Sequence, residues 1–390
     1  MRLALVTNNR LPPREGVGRH VLETGRRLAA RGHEVRLVAR GRGPRLHEGE
    51  LDGLPLLEYP DFPIPPPLHH LAARAALGRW LRAGADGAEL LHLHLPLLPP
   101  LPRQAPPGLP LVVTVHSPML TDSAAIGEPG LRPALLRLNA RLLSWRFERH
   151  HLARADRVIA VSNGVKDELQ AAYGVRAGVV EVVPNGVDTG FVRPAASPGG
   201  SGGATAERDS STILYAGRLG YRKGLGRLLE AFALLAPGAA DLELALAGEG
   251  PLAGSLARQA RDLGIAGRVR FLGFLDREAL RAAYRSAACV VNPADYESGP
   301  LTLLEAMATG TPVVSTRTGL ARELGPRPPI LLARPDPRSL ATVVQACLAD
   351  PESAVERAER ARALVERAFD WERVVDRLEA VYGVQRLLAA

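Results

Sequence analysis

Four charged residues have the types and spacing to handle a phosphorylated ligand: Arg218 and Lys223 in GRLGYRKG, and Glu297 and Glu305 in ESGPLTLLEAMATG. An arginine grips two phosphate oxygens through its planar fork, while a lysine adds a compact point charge. Lys223 is one of two lysines among 49 basic residues, so it stands out in a chain that otherwise uses arginine. Between the glutamates lie Ser298, Gly299, Pro300 and Leu301. Proline is tolerated in a first helical turn, and the N–H groups at such a start favour anions. The stretch reads as a phosphate cradle with an acid on either side, or as a surface loop with two solvated glutamates. His116 directly follows the apolar run Leu111–Val115, where it is either a site residue or a structural histidine.

These residues need strands and helices to hold them. Cys289–Asn292 is a short apolar run bounded by Pro293 and reads as a buried strand, with a helix from Gly299–Pro300 to about Thr309 and a stop at Gly310. Leu301, Leu304 and Ala308 then share the sheet-facing stripe, and Thr302 and Glu305 another face. Arg218 and Lys223 fall between the strand Thr212–Ala216 and the helix Leu225–Leu235. Ligands of open α/β sheets collect beyond the carboxyl ends of strands, where both cations and both glutamates lie.

The chain opens in the same rhythm: strand Leu3–Thr7, a Pro/Gly-rich loop with Gly16 and Gly18, a helix to Gly32, and strand Val35–Ala39. Leu90–Leu95 alternates so that His92 and His94 point to one face. That pair could bind metal, but no Cys or Asp with ligand spacing is nearby, and a strand end near a cleft is the favoured alternative. Leu131–Ala153 is amphipathic: Leu131, Leu135, Leu138, Leu142 and Trp145 form a stripe flanked by Arg132, Arg137, Arg141 and Arg146. A core helix with solvated arginines is the favoured reading, with peripheral membrane contact through 131–153 the alternative. Residues 195–211, AASPGGSGGATAERDSS, are too poor in apolar residues to bury a core and read as a flexible linker.

The run ESGPLTLLEAMATGTPVV closely resembles the Glu-x7-Glu segment of retaining family-4 glycosyltransferases of the GT-B fold. The likeness extends to VVTVHSP, to AVSNGVKDEL…VVPNGVD and to GRL…KG. It implies two Rossmann-like, doubly wound α/β domains facing an interdomain cleft. Residues 1–194 are the acceptor-side domain, 195–211 the linker and 212–370 the nucleotide-sugar domain. A final helix of about 371–390 packs back on the first, with Trp371, Val374, Val375, Leu378 and Val381 as its apolar face. The resemblance also implies roles. Arg218, Lys223 and the helix start at Ser298–Leu301 neutralise a departing diphosphate, and Glu305 accepts the ribose hydroxyls. Glu297 orients the donor sugar, with His116 across the cleft. Gly16 and Gly250 join the donor-binding residues, although Glu15 stands where the family has the first glycine of a Gly-Gly pair.

Composition limits the rest. At 390 residues the chain has room for two cored domains, and its 46% apolar content suits a globular protein. No apolar run is long enough to cross a bilayer, and residues 1–7 are too short for a signal-peptide core. Cys289 and Cys347 make no disulfide framework, so the cytoplasm is expected. The net charge of +8 comes almost wholly from arginine, without the aromatic interleaving of single-strand binders, so no nucleic-acid partner is expected. The expected reaction is retaining transfer from a UDP- or GDP-sugar to a glycan, lipid or small-molecule acceptor, with no metal and no cofactor. A non-catalytic, nucleotide-sugar-binding partner of another transferase is the alternative.

Overall fold

The computed structural model describes residues 1–13, 16–61, 68–96, 108–190 and 209–389. Glu15, residues 62–67 of the N-terminal loop 41–67 expected to read the acceptor, and residues 195–208 of the expected linker lie outside that set. The chain divides into two compact units: Met1–Ala124 with Gly130–Asn185 and Trp371–Ala390, and Ala125–Pro129 with Gly186–Asp370.

The first unit is built on eight strands: β1 (Arg2–Thr7), β2 (Glu34–Arg40), β3 (His47–Leu51), β4 (Leu54–Tyr59), β5 (Leu90–Leu95), β6 (Leu111–Val115), β7 (Arg157–Ala160) and β8 (Val180–Val182). Their order is β3-β4-β2-β1-β5-β6-β7-β8, parallel except for the β3–β4 hairpin. Parallel strands are covered on both faces, which is why β1 and β6 read as largely apolar runs and why His92 and His94 of β5 are buried. One face carries Val6, Leu93 and Val113, in one core cluster with Leu77 of the helix Leu68–Arg82, and the other carries Leu5, Leu37, Val112 and the helix Gly16–Ala30.

The helix Trp371–Ala389 belongs to this unit, and its Trp371, Val374, Val375 and Leu378 are all buried in the second of those faces. Burying each such side chain contributes roughly 1.5–3 kcal/mol. Arg31 then reaches Glu372, Asp376 and Glu379 at 2.6–2.8 Å along the same helix.

Two expectations change here. Leu131–Leu152 is helical, but a π turn at Ala140–Ser144 interrupts it. Most of its expected stripe is not core: Leu131, Leu135, Leu138 and Leu142 are exposed and Trp145 is partly buried, whereas Pro133, Ala140, Ser144, Glu148 and Leu152 are buried. Periodicity identifies which residues share a face, not which way that face turns. Small side chains and one hydrogen-bonded carboxylate hold the inner side instead. Within residues 41–67, β3 and β4 form where a loop was expected.

The second unit has a six-stranded sheet of β9 (Asp209–Ala216), β10 (Glu243–Ala247), β11 (Val269–Gly273), β12 (Ala287–Asn292), β13 (Val313–Thr316) and β14 (Leu331–Ala333). The order is β11-β10-β9-β12-β13-β14, and every pair is parallel. Residues 209–211, read as linker, are the start of β9. The strand order reverses between β9 and β12, the position at which doubly wound sheets gather their ligands.

Candidate functional site

In the second unit the loop after β9 is fixed by backbone contacts rather than side-chain bulk. Gly217 N–H donates to Ala247 O at 2.9 Å, Leu219 N–H to Glu249 O at 2.8 Å, and Leu252 N–H to Leu219 O at 3.0 Å. The approach is so close that a Cβ on Gly250 would lie 2.2 Å from Leu219 O. Gly250 therefore supports the Arg218 loop from beneath. The Tyr215 hydroxyl donates to Arg218 O at 2.9 Å, and the Arg218 side chain is exposed.

The same loop is tied to the one leaving β12. Asp295 N–H donates to Arg222 O at 2.8 Å, and Arg227 donates to Pro293 O at 3.1 Å and to Asp295 Oδ1 at 2.5 Å. Gly224 has φ +65°, and a Cβ there would meet Pro293 O at 2.0 Å, so only glycine fits this junction. Arg222 has φ +60°, an uncommon backbone state for a non-glycine residue. Its N–H donates to Glu128 Oε1 at 3.1 Å, which accounts for the grouping of Ala125–Pro129 with this unit.

These ties bring Lys223 Nζ to 2.5 Å from Glu297 Oε1, with both side chains largely buried. The Glu297 end is set by Gly319, at φ +48°, whose added Cβ would lie 2.5 Å from Glu297 O. Ser298 and Gly299 follow, and Pro300 is the N-terminal cap of the helix Leu301–Ala308, which no side chain caps. The uncapped N–H groups of that first turn give the sub-site a partial positive charge. Glu305 lies on the same helix and accepts a hydrogen bond from the Tyr284 hydroxyl at 3.1 Å. Leu304 and Ala308 are buried as periodicity placed them, Leu303 and Met307 widen the stripe, and Leu301 is only half-buried.

The first unit gathers histidines at its own strand ends. His94 is in register with Thr7 of β1 and Thr114 of β6, beside the β1–β5 reversal of strand order. His94 Nδ1 and His116 Nε2 are 3.1 Å apart, so one of them donates to the other. His20 packs edge-on against His116, with ring centroids 4.7 Å apart. His92 instead bonds the Tyr382 hydroxyl and Thr114 Oγ1, each at 2.7 Å. Burial lowers all four: His20 to about 4, with Asn185 opposing weakly, His92 to about 3, and His94 and His116 well below the ordinary value. The charge that neighbouring imidazoles would carry adds to the shift at His92, His94 and His116. His116 is therefore a neutral imidazole at pH 7.

His20, His94 and His116 offer nitrogens all within 4.8 Å of one another, the one such grouping of potential metal ligands among the described residues. His92, the partner strand alternation suggested for His94, is not in it. Gly16 opens the helix Gly16–Ala30 and is exposed, while Gly18 lies against its own loop, where a Cβ would meet Pro13 at 2.9 Å.

Arg218, Lys223, Glu297, Ser298–Leu301, Glu305 and Gly250 thus share one unit, and Gly16 and His116 belong to the other. Sequence reading missed His20, Tyr284 and Arg222. His20 had a signal, four residues after Gly16 on the helix of the glycine loop; Tyr284 had none.

Comparison with known proteins adds two matches covering most of the chain. Residues 14–191 match Glycosyltransferase Family 4, and residues 204–364 match Glycosyl transferases group 1. A D-inositol 3-phosphate glycosyltransferase of Catenulispora acidiphila is 34% identical over 392 residues, covering 94% of this chain and 90% of the relative. A glycogen synthase of Mycobacterium tuberculosis is 29% identical with the same coverage. A sucrose-phosphate synthase from Thermosynechococcus elongatus superposes with a TM-score of 0.80 over 100% of both chains at 24% identity.

Proposed function

The chain belongs to family 4 of the glycosyltransferases, with their GT-B fold, and from that premise we propose that it transfers a sugar from a UDP- or GDP-sugar, with retention at the anomeric carbon, to a glycan, lipid-linked or small-molecule acceptor. The observation that carries this reading is the meeting of Lys223 and Glu297 beside an uncapped helix start, where the strand order reverses.

The chemical task is to stabilise a departing nucleoside diphosphate next to a sugar that gains positive charge. Arg218, Lys223 and the N–H groups around Ser298–Leu301 neutralise the growing phosphate charge, and preorganised groups of this kind act without reorganising during the reaction. Glu305, held by Tyr284, accepts the ribose hydroxyls. Glu297 orients the donor sugar while its partner lysine holds phosphate. Gly250 keeps the Arg218 loop in place from beneath. In the first unit we assign His116 to the donor sugar as a neutral hydrogen-bonding group, and Gly16 to the donor diphosphate. No step in this scheme needs a metal ion.

Both cysteines are buried thiols that form no disulfide, in keeping with a reducing compartment such as the cytoplasm. A thermal-shift panel of uridine, guanosine and adenosine diphosphates tests the donor, because a bound nucleotide raises the melting temperature. Transfer from the matching sugar nucleotide, followed by NMR of the product's anomeric proton, tests retention. No stabilisation by any of the three diphosphates would sink the donor assignment, and an inverted product would sink the stereochemistry.

A further inference from the structure

Among the described residues, six of the ten exposed large hydrophobic side chains lie on one helical segment: Leu131, Leu135, Leu136, Leu138, Leu142 and Leu143, each 43–76% exposed. The other four, Leu46, Leu234, Phe271 and Phe274, are distant in sequence. Single exposed leucines need no explanation, but a cluster of six on adjoining turns does.

The segment is turned inside out relative to an ordinary surface helix. Its inward side is Pro133, Ala140, Ser144, Glu148, His151 and Leu152, all buried, with Trp145 packed against the core. That side is anchored by polar bonds: Glu148 accepts from Met119 N–H at 3.0 Å and from the Tyr173 hydroxyl. The segment is thus held firmly through its inward residues while those six leucines face outward. The π turn at Ala140–Ser144 rotates the helix phase, so Leu142 and Leu143 stay exposed along with Leu135 and Leu138.

The charge around the leucines selects the occupant. From Leu131 to Phe147 the chain carries Arg132, Arg137, Arg141 and Arg146 and no acidic residue. Two copies of this face laid together would set guanidinium against guanidinium with no carboxylate in the stretch to relieve them. A membrane surface bearing anionic headgroups satisfies both parts. The leucines enter the boundary between headgroups and acyl chains, and arginine stems lie along them with their charges at the phosphates. We propose that Leu131–Phe147 docks the protein onto anionic phospholipid, as a peripheral contact lying in the plane of the interface.

Sedimentation of the full chain with vesicles tests this. Wild type is expected to bind phosphatidylcholine vesicles carrying roughly 30% phosphatidylglycerol at least about tenfold more tightly than phosphatidylcholine alone, and to be weakened by added salt. L135Q/L142Q and R132E/R141E are each expected to lose about tenfold or more in vesicle binding. Both should keep the wild-type far-UV CD spectrum and the wild-type nucleotide-induced thermal shift, because these side chains point away from the core. A failure of the donor assignment would instead remove the thermal shift and leave vesicle binding intact. The proposal is overturned if wild type does not co-sediment with the anionic vesicles, or if both variants bind as wild type does. It is equally overturned if sedimentation velocity shows a dimer that L135Q/L142Q splits, which would make the face a contact between copies.

Discussion

Lys223 Nζ lies 2.5 Å from Glu297 Oε1, joining loops that leave two neighbouring strands of one sheet. Without a donor this pair neutralises itself, and a diphosphate must draw the ammonium away from the carboxylate. The two residues should therefore respond differently to substitution. K223A and R218A are each expected to lower turnover by about two orders of magnitude and to weaken nucleoside diphosphate binding. E297Q is expected to lower turnover by a similar factor while binding the bare diphosphate as well as, or better than, wild type, because its lysine is released. Calorimetric titration beside steady-state kinetics separates these outcomes, with far-UV CD as the folding control. Wild-type turnover in K223A or R218A would remove that residue from the mechanism.

Gly250 tests whether the cation loop depends on its backbone support. A methyl group there would lie 2.2 Å from Leu219 O, one residue from Arg218. G250A is expected to lower kcat/KM at least about tenfold and to destabilise the second unit by about 1–3 kcal/mol. Gly254 is the control: it sits in the helix Ala253–Asp262 with nothing closer than 3.8 Å to an added Cβ. G254A should stabilise by about 0.5–1 kcal/mol, since alanine is the better helix former. Equal effects from the two substitutions would refute the packing argument.

Much of this was legible in the sequence. Buried parallel strands announce themselves as apolar runs, so β1, β5, β6, β9 and β12 could be placed within a few residues. The Arg218–Lys223 and Glu297–Glu305 segments were found because charged residues at strand ends and a Gly-Pro helix start carry local chemistry. What was illegible depends on distance or direction. Nothing in the chain shows that Lys223 and Glu297 touch, that Tyr284 reaches Glu305, or that His20 joins His94 and His116. Leu131–Ala153 failed for a different reason, since a helical stripe is equally visible whether it faces the core or the solvent.

The buried histidines fix the direction of the first unit's pH response. Each has a folded pKa lowered below its unfolded value near 6.5, so the folded state binds fewer protons, and stability present at neutral pH is lost as pH falls below 6.5. Between pH 7.5 and 5.5 each such histidine removes about 1–2 kcal/mol. Glu148 acts oppositely: burial raises it to about 8 despite hydrogen bonds from Tyr173 and Met119, so it contributes stability as pH falls from 8 toward 4.5. Over the same interval it returns about 2–3 kcal/mol. Four histidines against one glutamate leave a net loss of about 3 kcal/mol, measurable as a lower urea midpoint at pH 5.5 than at pH 7.5. A midpoint that rises on acidification would contradict this balance.

His20, His94 and His116 have the spacing of metal ligands, yet the proposed chemistry runs on Arg218, Lys223 and backbone N–H groups. Turnover is therefore expected to be unchanged by a chelator, and elemental analysis of the purified protein should find no stoichiometric zinc. A metal at one per chain whose removal lowers turnover would overturn metal independence and give the triad a direct role.

The Tyr284 hydroxyl donates to Glu305 Oε2 at 3.1 Å, which links Tyr284 to the proposed nucleotide site. Tyr284 is itself buried, and Thr311 Oγ1 donates to its backbone carbonyl at 2.7 Å, which helps to fix the chain from which the phenol extends. A carboxylate held this way presents its other oxygen to a ribose in one orientation. Y284F keeps the ring and removes the hydroxyl, and with it this hydrogen bond to Glu305. The donor KM is expected to rise about tenfold, equivalent to about 1.4 kcal/mol, with kcat little changed, because ribose contacts are the same in ground and transition states. E305A should raise KM at least as much. In the double variant the tyrosine has nothing left to orient, so Y284F/E305A should be no worse than E305A alone. If the two losses add instead, Tyr284 acts through packing, and its hydrogen bond to Glu305 does not position the nucleotide.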